Sequence, residues 1–193
     1  MAARAGMTNL IRRLRGMTAA GSADYSVDGE TWWADDHLQE VLDAYRIDLN
    51  RVPLFAQPEY DGGTPLYHDY YAPLGHLEEA ASGSAAWAVE DGDGDNVGTA
   101  SYTADYVRGL IRFSADQGGS AYYLRARAYN LAAAAAQVWR EKMASTAAFY
   151  AASVDGQRLD REQWFDHCER MVRRYESEAG VQTVAVSRTD IAS

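Results

Sequence analysis

Apolar residues recur along this chain with two different periods. Leu38, Val41, Leu42, Tyr45 and Leu49 follow a three–four spacing in ADDHLQEVLDAYRIDLNR, which aligns them on one side of a helix. Asp35 or Asp36 is placed to cap its start, and Pro53 ends it. Trp32 and Trp33 are expected to staple its entry. A shorter amphipathic helix is predicted in MTNLIRRLRGM, with Leu10, Ile11 and Leu14 on one side, before Gly16 and AAGSADYSVDGE break it. Residues 1–30 therefore read as a mobile N-terminal arm.

Between 55 and 120 the period shortens. Gly, Pro, Asp and Ser punctuate TPLYHDYYAPL, SAAWAVE, ASYTADY and VRGLIRFSAD, which are strand candidates rich in Tyr, Val and Ile. From Ala121 to Asp155 neither glycine nor proline occurs, and alanine is frequent. AYYLRARAYNLAAAAAQVWREKMASTAAFYAA is therefore predicted as one long helix of roughly 45 Å. In the last helix, REQWFDHCERMVRRYESEAG, Trp164, Cys168, Met171, Val172 and Tyr175 form one stripe. The predicted fold is mainly α with a β-rich insertion: a helical bundle core of about three to four helices plus β-hairpins. Its parts are the arm (1–30), a main domain (31–180, with the insertion at about 55–120) and a C-terminal tail (181–193).

Composition narrows the function. The net charge is −10, which argues against a protein that grips duplex DNA, because phosphate affinity comes from Lys and Arg. Cys168 is the single cysteine, so no intrachain disulfide forms. No run of apolar residues is long enough for a membrane span. Thirteen tyrosines and five tryptophans are more rings than a small sheet is expected to shelter, so some should anchor contacts between chains.

VEDGDGDNVG places Asp91, Asp93 and Asp95 at alternating positions, as a calcium loop does. The position where such a loop needs its clamping glutamate is Tyr102, and the flanks read as strands. A hairpin tip is the plainer reading; calcium or small-ligand binding by a monomeric helical domain is the alternative. His37, His68, His76 and His167 lack metal-ligand spacing. No nucleophile elbow or phosphate-cradling loop occurs, and DQGG is expected as a strand-to-helix turn before the long helix. Neither an enzymatic activity nor a cofactor is expected.

The order of these segments carries a resemblance. DDHLQEVLDAYRIDLNR, YVRGLIRFSADQGG, AYYLRARAYNLAAAAAQVWREKMASTAAFY and SVDGQRLDREQWFDHCERMVRRYESEAG together resemble the head–tail connector, or adaptor, proteins of tailed bacteriophages. Similar proteins show a strand ending near G-x-I-x-F and a Y-x-L-x-x-A-A-A-x-x-W helix. The resemblance covers residues 35 to 180. It implies a virion protein of the neck, made in the host cytoplasm. Such a protein forms a homo-oligomeric ring, commonly of twelve copies, beneath the portal protein. The ring extends the DNA channel without specific DNA binding and docks the next neck or tail-completion protein. By position, the portal-facing residues would be Val184, Val186, Arg188 and Ile191 of the tail, with Arg12, Arg13 and Arg15 of the arm. Subunit contacts are expected at Tyr70, Tyr71, Trp87, Tyr102, Tyr106, Arg170, Arg173 and Arg174.

Overall fold

The structure, a computed structural model, describes residues 3–20, 26–27, 30–31, 33–81, 86–148 and 161–180. Its elements run α1 (Thr8–Thr18), β1 (Ser26–Val27), β2 (Glu30–Thr31), α2 (Asp35–Ala44), β3 (Arg46–Pro53), β4 (Phe55–Asp61), β5 (Thr64–Tyr71), β6 (Ala88–Glu90), β7 (Tyr102–Asp105), β8 (Leu110–Phe113), β9 (Tyr123–Tyr129), α3 (Leu131–Ala148) and α4 (Arg161–Ala179). With 39% helix and 30% strand among the described residues, this is a mixed α/β fold with substantial sheet. The expectation of a mainly α helical bundle is overturned.

Two segments account for the difference. The first helix stops at Ala44, and RIDLNRVP becomes β3. Leu49 fits the helical spacing of the preceding stripe, but it pairs with Ala126 across a strand and is buried there. The long helix likewise begins only at Leu131, because YLRARAY is β9. Its alternation decides the matter: Leu124, Ala126 and Ala128 are buried, with Arg125 and Arg127 between them. Alanine's helix preference is a weak prior that a central strand position overrides. DQGG consequently turns from β8 to β9, not into a helix. Asp116 stabilises that turn by accepting the backbone N–H groups of Tyr67 (2.7 Å) and Gly118 (3.0 Å).

The described chain divides into two compact units, a helical one within residues 1–45 and 130–181 and a β unit within 46–129. In the helical unit, α3 is the centre, packed by α1, α2 and α4. Leu131, Ala134, Ala135, Ala136, Val138 and Trp139 are all buried. A helix enclosed on several sides needs small residues, so that neighbouring backbones can approach. Asn130 caps it: its side-chain oxygen accepts the Ala133 N–H (3.0 Å). The same residue donates its backbone N–H to Tyr45 O (3.1 Å) and its side-chain amide to Ala179 O (3.2 Å). α2 starts differently from expectation, with Ala34 at the cap and no side-chain cap bond.

The N-terminal segment belongs to this core and is not a loose arm over its described length. Met7, Leu10, Ile11 and Leu14 are buried. Arg4 makes a two-pronged pair with Asp43 (2.7 Å for each prong). The C-terminal carbonyls of α1, which have no partners within the helix, receive donors from α3 and α4. Trp139 Nε1 (3.2 Å) and the Tyr175 hydroxyl (3.0 Å) both donate to Met17 O, and Lys142 Nζ donates to Ala19 O (3.3 Å).

The β unit holds a three-stranded antiparallel sheet, β3-β9-β6, and a four-stranded one, β4-β5-β8-β7. Leu49, Leu54, Tyr70, Leu77, Val89, Tyr102, Ile111, Phe113, Leu124, Ala126 and Ala128 form its shared core. The backbone runs from β3 through Leu54 directly into β4, so one chain segment serves both sheets. Gly109 occupies a left-handed conformation (φ +67°), and a Cβ there would lie 2.5 Å from Leu74 O. Two residues on, Ile111 and then Phe113 fill the core. The G-x-I-x-F pattern thus records one tight backbone crossing and two core rungs.

Replacing Gly109 with Ala should destabilise the protein by about 2–4 kcal/mol, through left-handed strain plus the carbonyl clash; chemical denaturation measures this. Asn130→Ala should cost about 1–2 kcal/mol in the same assay, as loss of a cap does.

Candidate interaction surface

The aspartate loop is a structured turn. Asp91 Oδ1 accepts the backbone N–H groups of Asp93 (3.0 Å) and Asp95 (2.9 Å), and Asp91 N–H donates to Asp95 O (3.0 Å). That carboxylate caps its own loop, in the manner of an Asx turn. Among the described residues no three His, Cys, Asp or Glu side chains converge as a metal ion requires. The histidines are dispersed: His37 contacts Glu141 (3.0 Å), His68 lies 3.3 Å from Phe113 O, and His167 stacks on Trp164 with ring centroids 5.5 Å apart.

Of the aromatic residues expected at subunit contacts, Tyr70 and Tyr102 are buried, and Tyr71, Trp87 and Tyr106 are half-buried. Tyr70 is wholly buried and meets Phe113 and Tyr122 edge-on, at 5.2 and 5.3 Å. Its hydroxyl donates to Ser120 O (3.1 Å). Tyr102 is buried and accepts the Trp87 indole N–H (3.1 Å), while Trp87 packs edge-on against Tyr106 (4.8 Å). The common core of the two sheets thus gives Tyr70 and Tyr102 partners within one chain. Tyr71 differs: with Phe55 and Leu110 it forms a partly exposed cross-strand row on the face away from that core.

Of the basic residues assigned to the N-terminal arm, Arg15 is committed to the fold. It donates to Ala20 O (3.0 Å) and Trp33 O (2.9 Å) and pairs with Asp35 (2.7 Å). Arg12 and Arg13 are exposed, and Arg12 contacts the Asn9 side chain. Val184, Val186, Arg188 and Ile191 lie outside the described residues.

Arg170, Arg173 and Arg174 lie on the exposed side of α4. Arg173 pairs with Glu169 (2.6 Å) and Arg174 with Glu178 (3.0 Å), one helical turn apart in each case. Such exposed pairs contribute little to stability, so these arginines are free to exchange partners. At the start of α4, Trp164 and Phe165 are each 42% exposed, and Tyr60 is 70% exposed near the tip of the β4–β5 hairpin. Sequence reasoning missed Tyr60 and Phe165 and placed Trp164 in the core stripe. The available signals were the Gly62-Gly63 turn just beyond Tyr60 and the position of Phe165 off the Cys168–Val172–Tyr175 spacing.

No Lys or Arg occurs from Val52 to Val107, a stretch holding ten acidic residues. No described helix is long and apolar enough to cross a membrane. No family model, curated protein or solved structure matches the chain.

Burial, and then the neighbouring Tyr122, push the Tyr70 phenol up from 10.0 to about 12. Folding thus keeps this phenol protonated. Its contribution is complete below the unfolded phenol's value and is lost as pH rises through the interval from 10.0 to about 12. Unfolding midpoints measured across that interval should fall less steeply for Tyr70→Phe than for the unaltered protein.

Proposed function

We propose that this chain is a structural subunit of the bacteriophage neck: a non-enzymatic connector that assembles as a ring of identical copies at the portal. The ring, twelve-fold as the resemblance implies, extends the DNA channel and docks the next neck or tail-completion protein. The observation carrying this reading is that the residues behind the resemblance are the fold's own framework. Gly109, Ile111 and Phe113 set the crossing and core of the β unit. Tyr129 closes β9, and Leu131, Ala134, Ala135, Ala136 and Trp139 form the buried surface of the central helix. A pattern spent on packing is what kinship by architecture predicts, whereas an enzyme's pattern would gather polar groups in a cleft.

The acidic stretch from Val52 to Val107 supports the channel role. Negative charge near a DNA path repels phosphate, so a duplex slides without being held. The test is electron microscopy of the purified chain mixed with the portal protein of the same virion. A ring seated on the portal is expected, together with no retention of duplex DNA at physiological salt. A chain that leaves the portal bare would remove the reading.

A further inference from the structure

Independently of the neck reading, we infer that the open edge of β3 takes a strand from this chain's own C-terminal segment, residues 181–193, with Val184 and Val186 beside Ile47 and Leu49.

β3 is an edge strand. The sheet order is β3-β9-β6, so β9 pairs with one side of β3 and, among the described residues, nothing pairs with the other. Half of its backbone N–H and C=O groups point to that open side, and a row of such groups recruits a further strand. The opposite edge of the same sheet is already occupied: Val97 donates its N–H to Val89 O (2.8 Å), and Glu90 bridges to Asn96.

Two hydrogen bonds of Asn130 decide which segment can reach the open edge. Its backbone N–H donates to Tyr45 O (3.1 Å), and its side-chain amide donates to Ala179 O (3.2 Å). Tyr45 is the residue before β3, and Ala179 is the last of α4. The chain therefore leaves α4 beside the start of β3. Thirteen residues follow Gly180. In extended form, at about 3.3 Å per residue, they outreach the eight residues of β3. A segment that sets out from that point and follows the edge runs parallel to β3, and mixed sheets of this kind are common.

The residues fit the edge. VQTVAVS follows Gly180 at once, and its β-branched residues favour a strand. In a strand Val184 and Val186 share one face, with Thr183 and Ala185 on the other. β3 alternates likewise: Ile47 and Leu49 pack on the core, and Arg46, Asp48 and Asn50 are exposed. Leu49 is buried, but Ile47 only partly so. Two valines on that face would cover Ile47 and extend the core row. The bulge in β3 sets the length. Pairing with β9 is regular from Arg46 to Leu49 and shifts before Val52, and Arg51 there has φ +52°. A regular partner strand can follow only the part before that kink, which suits the short run TVAV.

The experiment is hydrogen exchange, read by mass spectrometry, on the dilute full-length chain without other virion proteins. Amides within 183–186 should exchange about tenfold or more slower than in an unstructured peptide of that sequence. Of two consecutive strand residues one directs its N–H at β3, so Val184→Pro with Ala185→Pro removes the pairing in either register. That variant should return the segment to the peptide rate and speed exchange within 46–50. Amides of Leu124 to Ala128 should stay slow, which reports an intact unit. A chain ending at Gly180 should show the same loss at 46–50. A segment that exchanges at the peptide rate in the unaltered chain would overturn the pairing. So would protection that fades on dilution, because a second copy then supplies the strand, and protection that appears only with portal added, because the edge then belongs to the portal.

Discussion

A single backbone hydrogen bond, from Asn130 N–H to Tyr45 O, lets one chain build two units. The helical unit is interrupted after Tyr45 and resumes at Asn130, and this bond holds the two ends of the interruption together. Within the β unit the first and last residues, Arg46 and Tyr129, are paired across antiparallel strands. Closing a long loop costs conformational entropy that grows only slowly with its length. Once the ends are fixed, the inserted segment can be large without disrupting the helices. Asn130 adds two functions at the same point, capping α3 and tying the end of α4.

The helical unit depends on a second constraint, a central helix narrow enough to be surrounded. Ala134, Ala135 and Ala136 contribute little volume, so stability has to come from the larger groups between the helices. Trp139, Lys142 and Tyr175 supply it at the C-terminal end of α1. Lys142 Nζ lies 5.0 Å from the Trp33 ring and 5.2 Å from the Trp139 ring, and it donates to a carbonyl at the negative end of the helix. Ring face, carbonyl and dipole all favour the charged ammonium, which allows a lysine to be buried there.

The β unit solves a different problem, hiding many aromatic rings in a small volume. Two sheets share one core, and the rings meet edge to face, as their quadrupoles prefer. Among the described residues, the large apolar side chain of this unit that stays exposed is Tyr60, near the β4–β5 hairpin tip.

The sequence alone determined which segments carry regular structure and much of what each buries. Leu10, Ile11, Leu14, Leu38, Val41, Leu42, Cys168, Val172 and Tyr175 were legible from helical spacing, because an isolated amphipathic face already says which side meets a core. The strands around Tyr70, Ile111 and Tyr102, and the turn chemistry of the aspartate loop, were legible for the same local reason. Tertiary structure decided the rest. Whether Leu49 ended a helix or entered a strand depended on Ala126, far along the chain, offering a pairing partner. Whether YLRARAY was helix or strand depended on β3 and β6 lying on either side of it. Both segments satisfy helical and extended patterns about equally, so local preference leaves them undecided and the long-range hydrogen-bonded pairing settles them. The same holds for the rings: the sequence counted them, but only the meeting of two sheets over one core fixed which were buried.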